Sequence, residues 1–370
     1  MANMLPPLYE TWIAQVLPGA IPEETNAPCQ NCIMCLPASN SPAHPVETVF
    51  FNPQTKCCTY LPRLPNFLAG RVLGDETPEM QPGRASVEER IRKGVAVTPL
   101  GLLRDAHFDL IYSAGGEATF GKSRSMRCPH YIEEGGLCGI WRHREATCVT
   151  WFCKHVRGAV GFQFWRTLHR LLGIVEESLA RWCVLHLDVG SDALRVLFGP
   201  KPPNGRPTLE SADLDGTVDP ARYRAIWGSW AGREHDFYRA SAALVEALTW
   251  EEISSLCGPE LPILMRLTQE AYQALVAETI PPLLQVRPLK QILMERNTCQ
   301  VVTYTTTDPL RIPKALVSAL PAFDGRPVEQ VRQGLASEQQ LTLTDALIRK
   351  LMDFEVLAAP EAAPGQQHTP

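Results

Sequence analysis

Apolar positions recur with helical spacing through the middle of the chain. From Trp165 the residues Leu168, Leu172, Val175, Leu179 and Trp182 alternate spacings of three and four, which predicts a helix with one buried stripe. Glu177 and Arg181 are placed to pair one turn apart on it. Asp219 and Pro220 supply an N-cap and a first-turn proline, and Tyr223, Ile226, Trp227, Trp230 and Phe237 follow on one face. Thr249 and Glu252 have the spacing of a capping box, and "ELPILMRLTQEAYQALVAETI" reads as a further helix. Residues 159–299 are therefore expected to form a helical domain, interrupted by the Gly/Pro-rich linker "FGPKPPNGRPT".

The two ends have a different texture. Up to about residue 75 the chain is rich in Pro and Cys and weakly periodic, with short apolar pieces such as "VETVFF" and "LPNFLAGRVL". Local secondary structure alone would not hold such a segment, whereas a bound ion would make its coordination energy part of the folding energy. The charged stretch "SVEERIRKGV" predicts a helix, "TPLG" a turn and "FDLIYS" a short apolar strand. After Cys299 the β-branched "QVVTYTTT" predicts a strand. "PKALVSALPAF", "PVEQVRQGLA" and "TLTDALIRKLMDF" predict three short helices, and a final apolar "EVL" follows. That order suits a small winged-helix-like module over 300–358, and residues 359–370 read as a disordered tail.

At 370 residues, with 45% hydrophobic and 20% charged positions, the composition is that of a globular chain with two or three domains. No apolar run approaches the ~18 residues of a membrane span, and the N-terminus lacks the basic and apolar regions of a secretion signal, so the expected location is the cytoplasm. A net charge of −5 argues against a general nucleic-acid binder. One region departs from this balance: Gly121 to Leu172 holds nine Lys/Arg against three Glu.

That basic region surrounds cysteines. Of twelve in the chain, nine fall in two groups: Cys29, Cys32, Cys35, Cys57 and Cys58, then Cys128, Cys138, Cys148 and Cys153. In a reducing compartment they read as metal ligands rather than disulfides. Cys29, Cys32 and Cys35 form C-x2-C-x2-C, which lets one turn of backbone present several sulfurs to one site. Cys57 and Cys58, as neighbours in an extended chain, would point to opposite sides, so that one ligates while the other packs or serves a second site. The second group supplies four sulfurs, the number that closes a zinc or [4Fe-4S] site, and the surplus of cations suits its negative charge. Cys183, Cys257 and Cys299 read as small buried hydrophobes. His130, His143 and His155 lie near the second group. Imidazole suits zinc, but the cysteines suffice in number, and these three are read as surface histidines. Arg142, Arg144, Lys154 and Arg157 read as a solvated face able to hydrogen-bond sulfurs or an anion, and "EEGG" as a polar turn.

The clustered cysteines, then "KCCTYLPRLPNFLAGRVL", then "CPHYIEEGGLCGIWRHREATCVTWFC" together resemble the YkgJ-type cysteine-cluster family, a zinc- or iron-chelating domain with a CxxCxxCC signature. The likeness covers residues 29–158. Here the tandem CC stands 21 residues beyond C-x2-C-x2-C, Trp141 takes the place of a tyrosine, and the proline beside the family's arginine is absent. The resemblance leaves open which sulfurs share an ion. It implies metal chelation, and because some relatives are flagellin lysine N-methylases, it also implies an S-adenosylmethionine-dependent protein methylase as an alternative. The C-terminal module loosely resembles PqqD-like and winged-helix peptide-binding domains, and its near balance of charge favours protein over DNA contact.

The expectation is thus a mostly α chain with an irregular, metal-stabilised N-terminal half (α+β) over 1–158, the helical domain, and the C-terminal module. Its nine clustered cysteines would hold an iron–sulfur cluster or zinc, and its work would be redox chemistry or modification on a protein or peptide partner, without a membrane or nucleic acid. A purely structural zinc-binding interaction protein is the third possibility.

Overall fold

The computed structural model describes residues 5–35, 51–199, 211–289, 291–294 and 296–360. The chain is mostly helical with small antiparallel sheets. Most of "VETVFF", the greater part of the Gly/Pro-rich linker and most of the tail lie outside the described residues. Among the described residues no helix is long and apolar enough to cross a membrane.

Helix α1 (Pro7–Ile13) starts on a proline at its first turn, where a missing N–H costs nothing. Strand β1 (Leu64–Pro65) leads into α2 (Asn66–Gly74), so the apolar "LPNFLAGRVL" is a buried helix. α3 (Gln81–Lys93) ends on Gly94 in the left-handed conformation, φ 72°. The "TPLG" turn joins β2 (Val97–Thr98) to β3 (Gly101–Leu102), and β3 also pairs with β1. The expected strand at "FDLIYS" is instead part of helix α4 (Ala106–Thr119). The Asp105 carboxylate accepts from the Phe108 amide at 2.6 Å, and this cap outweighs the β propensity of the short apolar run.

A two-residue hairpin, β4 (Tyr131–Ile132) with β5 (Leu137–Cys138), is closed by the "EEGG" turn and followed by α5 (Ala146–Thr150). The predicted long helix is α6 (Gly158–His186), with Leu168, Leu171, Leu172, Val175 and Leu179 fully buried. Each such side chain contributes about 1.5–3 kcal/mol by leaving water. Glu177 and Arg181 pair on its surface as expected.

Beyond it come α7 (Ser191–Phe198), α8 (Ser211–Asp215) and α9 (Pro220–Trp227). Asp219 caps α9 by accepting from Ala221 N at 2.8 Å. The face expected to run from Tyr223 to Phe237 is broken at Gly228, whose φ of 53° ends α9. Trp227, Trp230 and Phe237 still meet edge to face because the chain re-enters as α10 (Glu234–Glu246). α11 (Trp250–Cys257) carries the predicted capping box, and α12 (Glu260–Val276) follows. α6 packs against α2, α5, α10, α11 and α12, and one buried core runs from Tyr9 to Leu275, so residues of 1–158 and of 159–299 share it.

A second core runs from Leu284 to Leu357. β6 (Leu283–Val286), β7 (Gln291–Met294), β8 (Thr298–Val302) and β9 (Leu310–Pro313) precede α13 (Lys314–Ala319), β10 (Asp324–Pro327), α14 (Val328–Gln339), α15 (Asp345–Asp353) and β11 (Leu357–Ala358). β7, β8 and β9 form one sheet, and β6 is sandwiched between β10 and β11 in another. The β-branched strand stops at Val302, short of Tyr304. The two cores are tied where Arg157 grips Asp353 with two bonds of 2.7 Å and Phe354 lies over Gly158.

Two contacts generate tests. A Cβ on Gly70 of α2 would stand 1.8 Å from the Tyr238 carbonyl oxygen of α10, so Gly70→Ala should lower unfolding free energy by about 3 kcal/mol in denaturant titration. At the end of α2, burial opposes ionisation of Asp75, but hydrogen bonds from Thr77 and His143 outweigh it and hold the carboxyl at about 2. The lowered folded value means that its contribution is complete above the unfolded range near ~4 and is lost as pH falls through about 2. Asp75→Asn should therefore unfold at lower temperature than wild type at pH 7, with the gap closing between pH 4 and pH 2.

Candidate metal centre

The first sulfurs sit on a loop that ends in a single 3-10 turn, Ile33–Cys35, where the Cys35 amide donates to the Cys32 carbonyl at 2.9 Å. Cys57 and Cys58 lie in a compact run of turns rather than an extended strand. There the Lys56 amide donates to Asn52 O at 2.8 Å with Lys56 in the left-handed region, φ 50°. The two remote segments are stitched by backbone: the Cys128 amide donates to the Cys58 carbonyl at 2.7 Å. Lys56 adds a clamp, its Nζ donating to Cys29 O at 2.7 Å and Gly136 O at 2.8 Å.

The hairpin β4–β5 then sets the second group. Tyr131 faces Cys138 in register, and the Gly139 amide donates to His130 O at 2.7 Å, bringing Cys128 and Cys138 to one end. Helix α3 presses on this turn so closely that a Cβ on Gly83 would lie 2.1 Å from Gly139 O. Cys148 is carried by α5, whose first amides are capped by Glu145, at 2.6 Å from Thr147 N and 3.1 Å from Cys148 N. α5 is anchored in turn by the buried Glu176 of α6, which accepts from Ala146 N at 2.8 Å and from the Tyr9 hydroxyl.

The thiols perturb one another. Burial pushes the Cys29 thiol up to about 11, with Cys57 and Cys32 adding to the shift and Arg144 and Lys56 opposing it. Burial likewise takes Cys35 to about 12, with Cys32 adding to the shift and Lys56 opposing it. Cys153 is also raised to about 12 by burial, with Cys32 and Cys57 adding to the shift and Lys154 opposing it. Contact with Cys57 favours a thiolate at Cys58, yet burial and the nearby Cys138, Cys128 and Cys148 raise it. Cys128 is pushed up to about 12 by burial and Cys138, against the His130 amide and Arg90. Cys138 is raised by burial, opposed by Arg144 and the Ile140 amide. Cys148 is raised by burial and the Glu145 charge. Hydrogen bonds thus bring residues 56–58 against the cysteine-bearing residues 29 and 128. Among the described residues, however, no group of three or more His, Cys, Asp or Glu side chains that could hold a metal ion is found.

Cys183, Cys257 and Cys299 are buried elsewhere, as small hydrophobes. The three histidines are not surface residues. His130 is 2% exposed with Nδ1 at 2.7 Å from Ser86 Oγ, His143 bonds Asp75 Oδ2 at 2.8 Å, and His155 faces the Tyr304 hydroxyl at 3.3 Å. Burial keeps all three below the usual imidazole range. Nor is the basic face simply solvated. Arg144 is buried over the Trp141 ring at 3.4 Å and donates to Cys148 O at 3.0 Å, and Lys154 approaches Asp308 at 3.7 Å.

Sequence reading missed Lys56, Arg90, Glu145 and Glu176 as supports. Only Lys56 and Glu145 carried a local signal, one preceding the tandem cysteines and the other in N-cap position before "ATC". No family model, curated protein or solved structure matches the chain.

Because Lys56 clamps two carbonyls of separate segments, Lys56→Met should cost about 1–3 kcal/mol. It should also speed amide hydrogen exchange in residues 27–35 and 134–138 selectively, and an exchange pattern unchanged there would contradict the clamp.

Proposed function

We propose that the chain is a metal–thiolate protein whose centre is built from the clustered cysteines, carrying an iron–sulfur cluster for redox or protein-modification work on a protein or peptide partner in the cytoplasm. The observation that supports this reading is that the segments carrying the free cysteines are bonded to one another, Cys128 N to Cys58 O at 2.7 Å and Lys56 Nζ to Cys29 O at 2.7 Å and Gly136 O at 2.8 Å. A donor set of sulfur alone suits zinc or iron–sulfur and not hard cations. A cation ~2.3 Å from each sulfur would draw the thiols together and displace their protons, which the neighbouring positive charges favour.

Between the two metals, the C-x2-C-x2-C run favours iron–sulfur, since three sulfurs from one loop and a remote fourth are a recurring iron–sulfur ligand pattern. The N–H groups of His130 and Ile140, which favour thiolates at Cys128 and Cys138, suit a closed zinc site as well. On that second reading this half of the chain is a structural interaction element. The C-terminal residues 300–358, read as winged-helix-like, would supply the partner-binding surface; Thr307 donates to Cys153 O at 3.3 Å, so this module reaches the edge of the thiols.

Metal and sulfide analysis of anaerobically purified protein tests the proposal. Iron and acid-labile sulfide with a broad band near ~400 nm, bleached by dithionite, is the expected result. Stoichiometric zinc in a colourless protein supports the structural reading, and a reduced chain that takes up neither metal contradicts both. A rise in melting temperature with S-adenosylmethionine would add methyl transfer to the activity.

A further inference from the structure

We propose that the cleft between α1, α2, α10 and α11 is a binding site for a small aryl carboxylate, whose charged end pairs with Arg71. No residue lining this cleft is a cysteine or belongs to the segments that carry the clustered thiols, so the site is independent of the metal–thiolate reading.

The cleft encloses about 350 Å³. That volume suits a small molecule and is too small to seat a helix of a partner, about 10–12 Å across. Leu8 and Trp12 of α1, Val245 of α10 and Ile253 of α11 give it apolar walls, and Trp250 at the start of α11 adds a second indole. Trp12 is itself packed against Tyr9 and Phe67, with ring centroids 5.4 and 6.3 Å away, so this wall is formed before any ligand arrives. A flat ring system is the apolar body that indole walls accept best, by offset or edge-to-face contact.

The charge in the cleft is one guanidinium. Arg71 lines it from α2, and the Arg71 Nε is buried with no hydrogen-bond acceptor among the described residues. Such an N–H has lost its water without gaining a partner, and an incoming carboxylate would supply one. The acidic neighbours leave this group available. Glu246 lies 3.7 Å from Nη1, but its carboxylate is 72% exposed and screened by water. Asp75, one turn further along α2, is already held by Thr77 at 2.7 Å and His143 at 2.8 Å. With Nη1 turned to Glu246, Nε and Nη2 form the remaining edge of the fork, which takes a carboxylate through two parallel bonds.

Two further features narrow the class. The α11 amides do not compete for the anion, because Thr249 and Glu252 close that helix end with their capping box. Glu246 at the same cleft repels a second negative charge, so a monocarboxylate fits better than a dicarboxylate or a phosphate.

The test is isothermal titration of the full chain with 1-naphthoate and with its uncharged counterpart, 1-naphthamide. The acid should bind one to one, and the amide at least about tenfold more weakly, since it lacks the charge-assisted bonds. Arg71→Gln should bring the acid down to the affinity of the amide, and Trp250→Ala should weaken both ligands, with circular dichroism confirming the fold. Should Arg71→Gln fail to fold, the acid and amide on the unmodified chain still decide. Equal affinity of the two, no binding of 1-naphthoate at millimolar concentration, or an acid preference that survives in Arg71→Gln overturns the proposal. Each of these failures leaves the metal–thiolate reading untouched, because that reading is decided by metal and sulfide content.

Discussion

The hydrogen bond from the Cys128 amide to the Cys58 carbonyl is the constraint around which the N-terminal half is arranged. It joins two cysteine-bearing segments seventy residues apart in the chain. Neither segment has enough regular structure to hold this position alone. The turn that contains Cys58 relies on Lys56, which binds carbonyls on both sides. The hairpin that contains Cys138 relies on α3, which approaches it as closely as two glycines allow. α5 relies on a buried carboxyl, Glu176, whose burial among Tyr9 and Ala146 raises its proton affinity well above that of a free glutamate. The thiol neighbourhood is therefore built from outside inward, by the large core behind it.

That dependence explains what was legible beforehand. α6, α9, α11 and α12 followed from stripe, cap and proline signals because these are local, and the mostly helical character came with them. The cysteine-rich segments stood out by spacing alone. The bond that joins them, Cys128 N to Cys58 O, was not legible, since it depends on how the hairpin folds back, a tertiary outcome with no sequence period. The helix at 106–119 was misjudged because one N-capping carboxylate decided a short ambiguous run. The histidines were misjudged for a different reason: a side chain's exposure in a weakly periodic segment depends on what covers it, and here the cover comes from Asp75, Ser86 and Tyr304 far along the chain.

The C-terminal module is joined to the thiol region by a buried polar network as well as by Arg157. Asp308 accepts from the His155 amide at 3.2 Å and from the Tyr304 hydroxyl, and Glu24 accepts from Val156 N at 2.6 Å and Trp165 Nε1 at 2.9 Å. Residues directly after Cys153 are thereby fixed by groups from both ends of the chain. A change in how Cys153 is held would be felt at Tyr304 and Asp308, which gives the two parts of the molecule a physical route for coupling.

The central claim, that sulfurs from remote segments share one place, is tested most directly by mild diamide oxidation of the reduced, chelator-treated chain, with disulfides mapped by mass spectrometry. Bonds joining a cysteine of residues 29–58 to one of residues 128–153, Cys58 to Cys128 among them, are the predicted products. Linkage confined to sequence neighbours such as Cys32 and Cys35, with nothing bridging the two segments, would contradict the account.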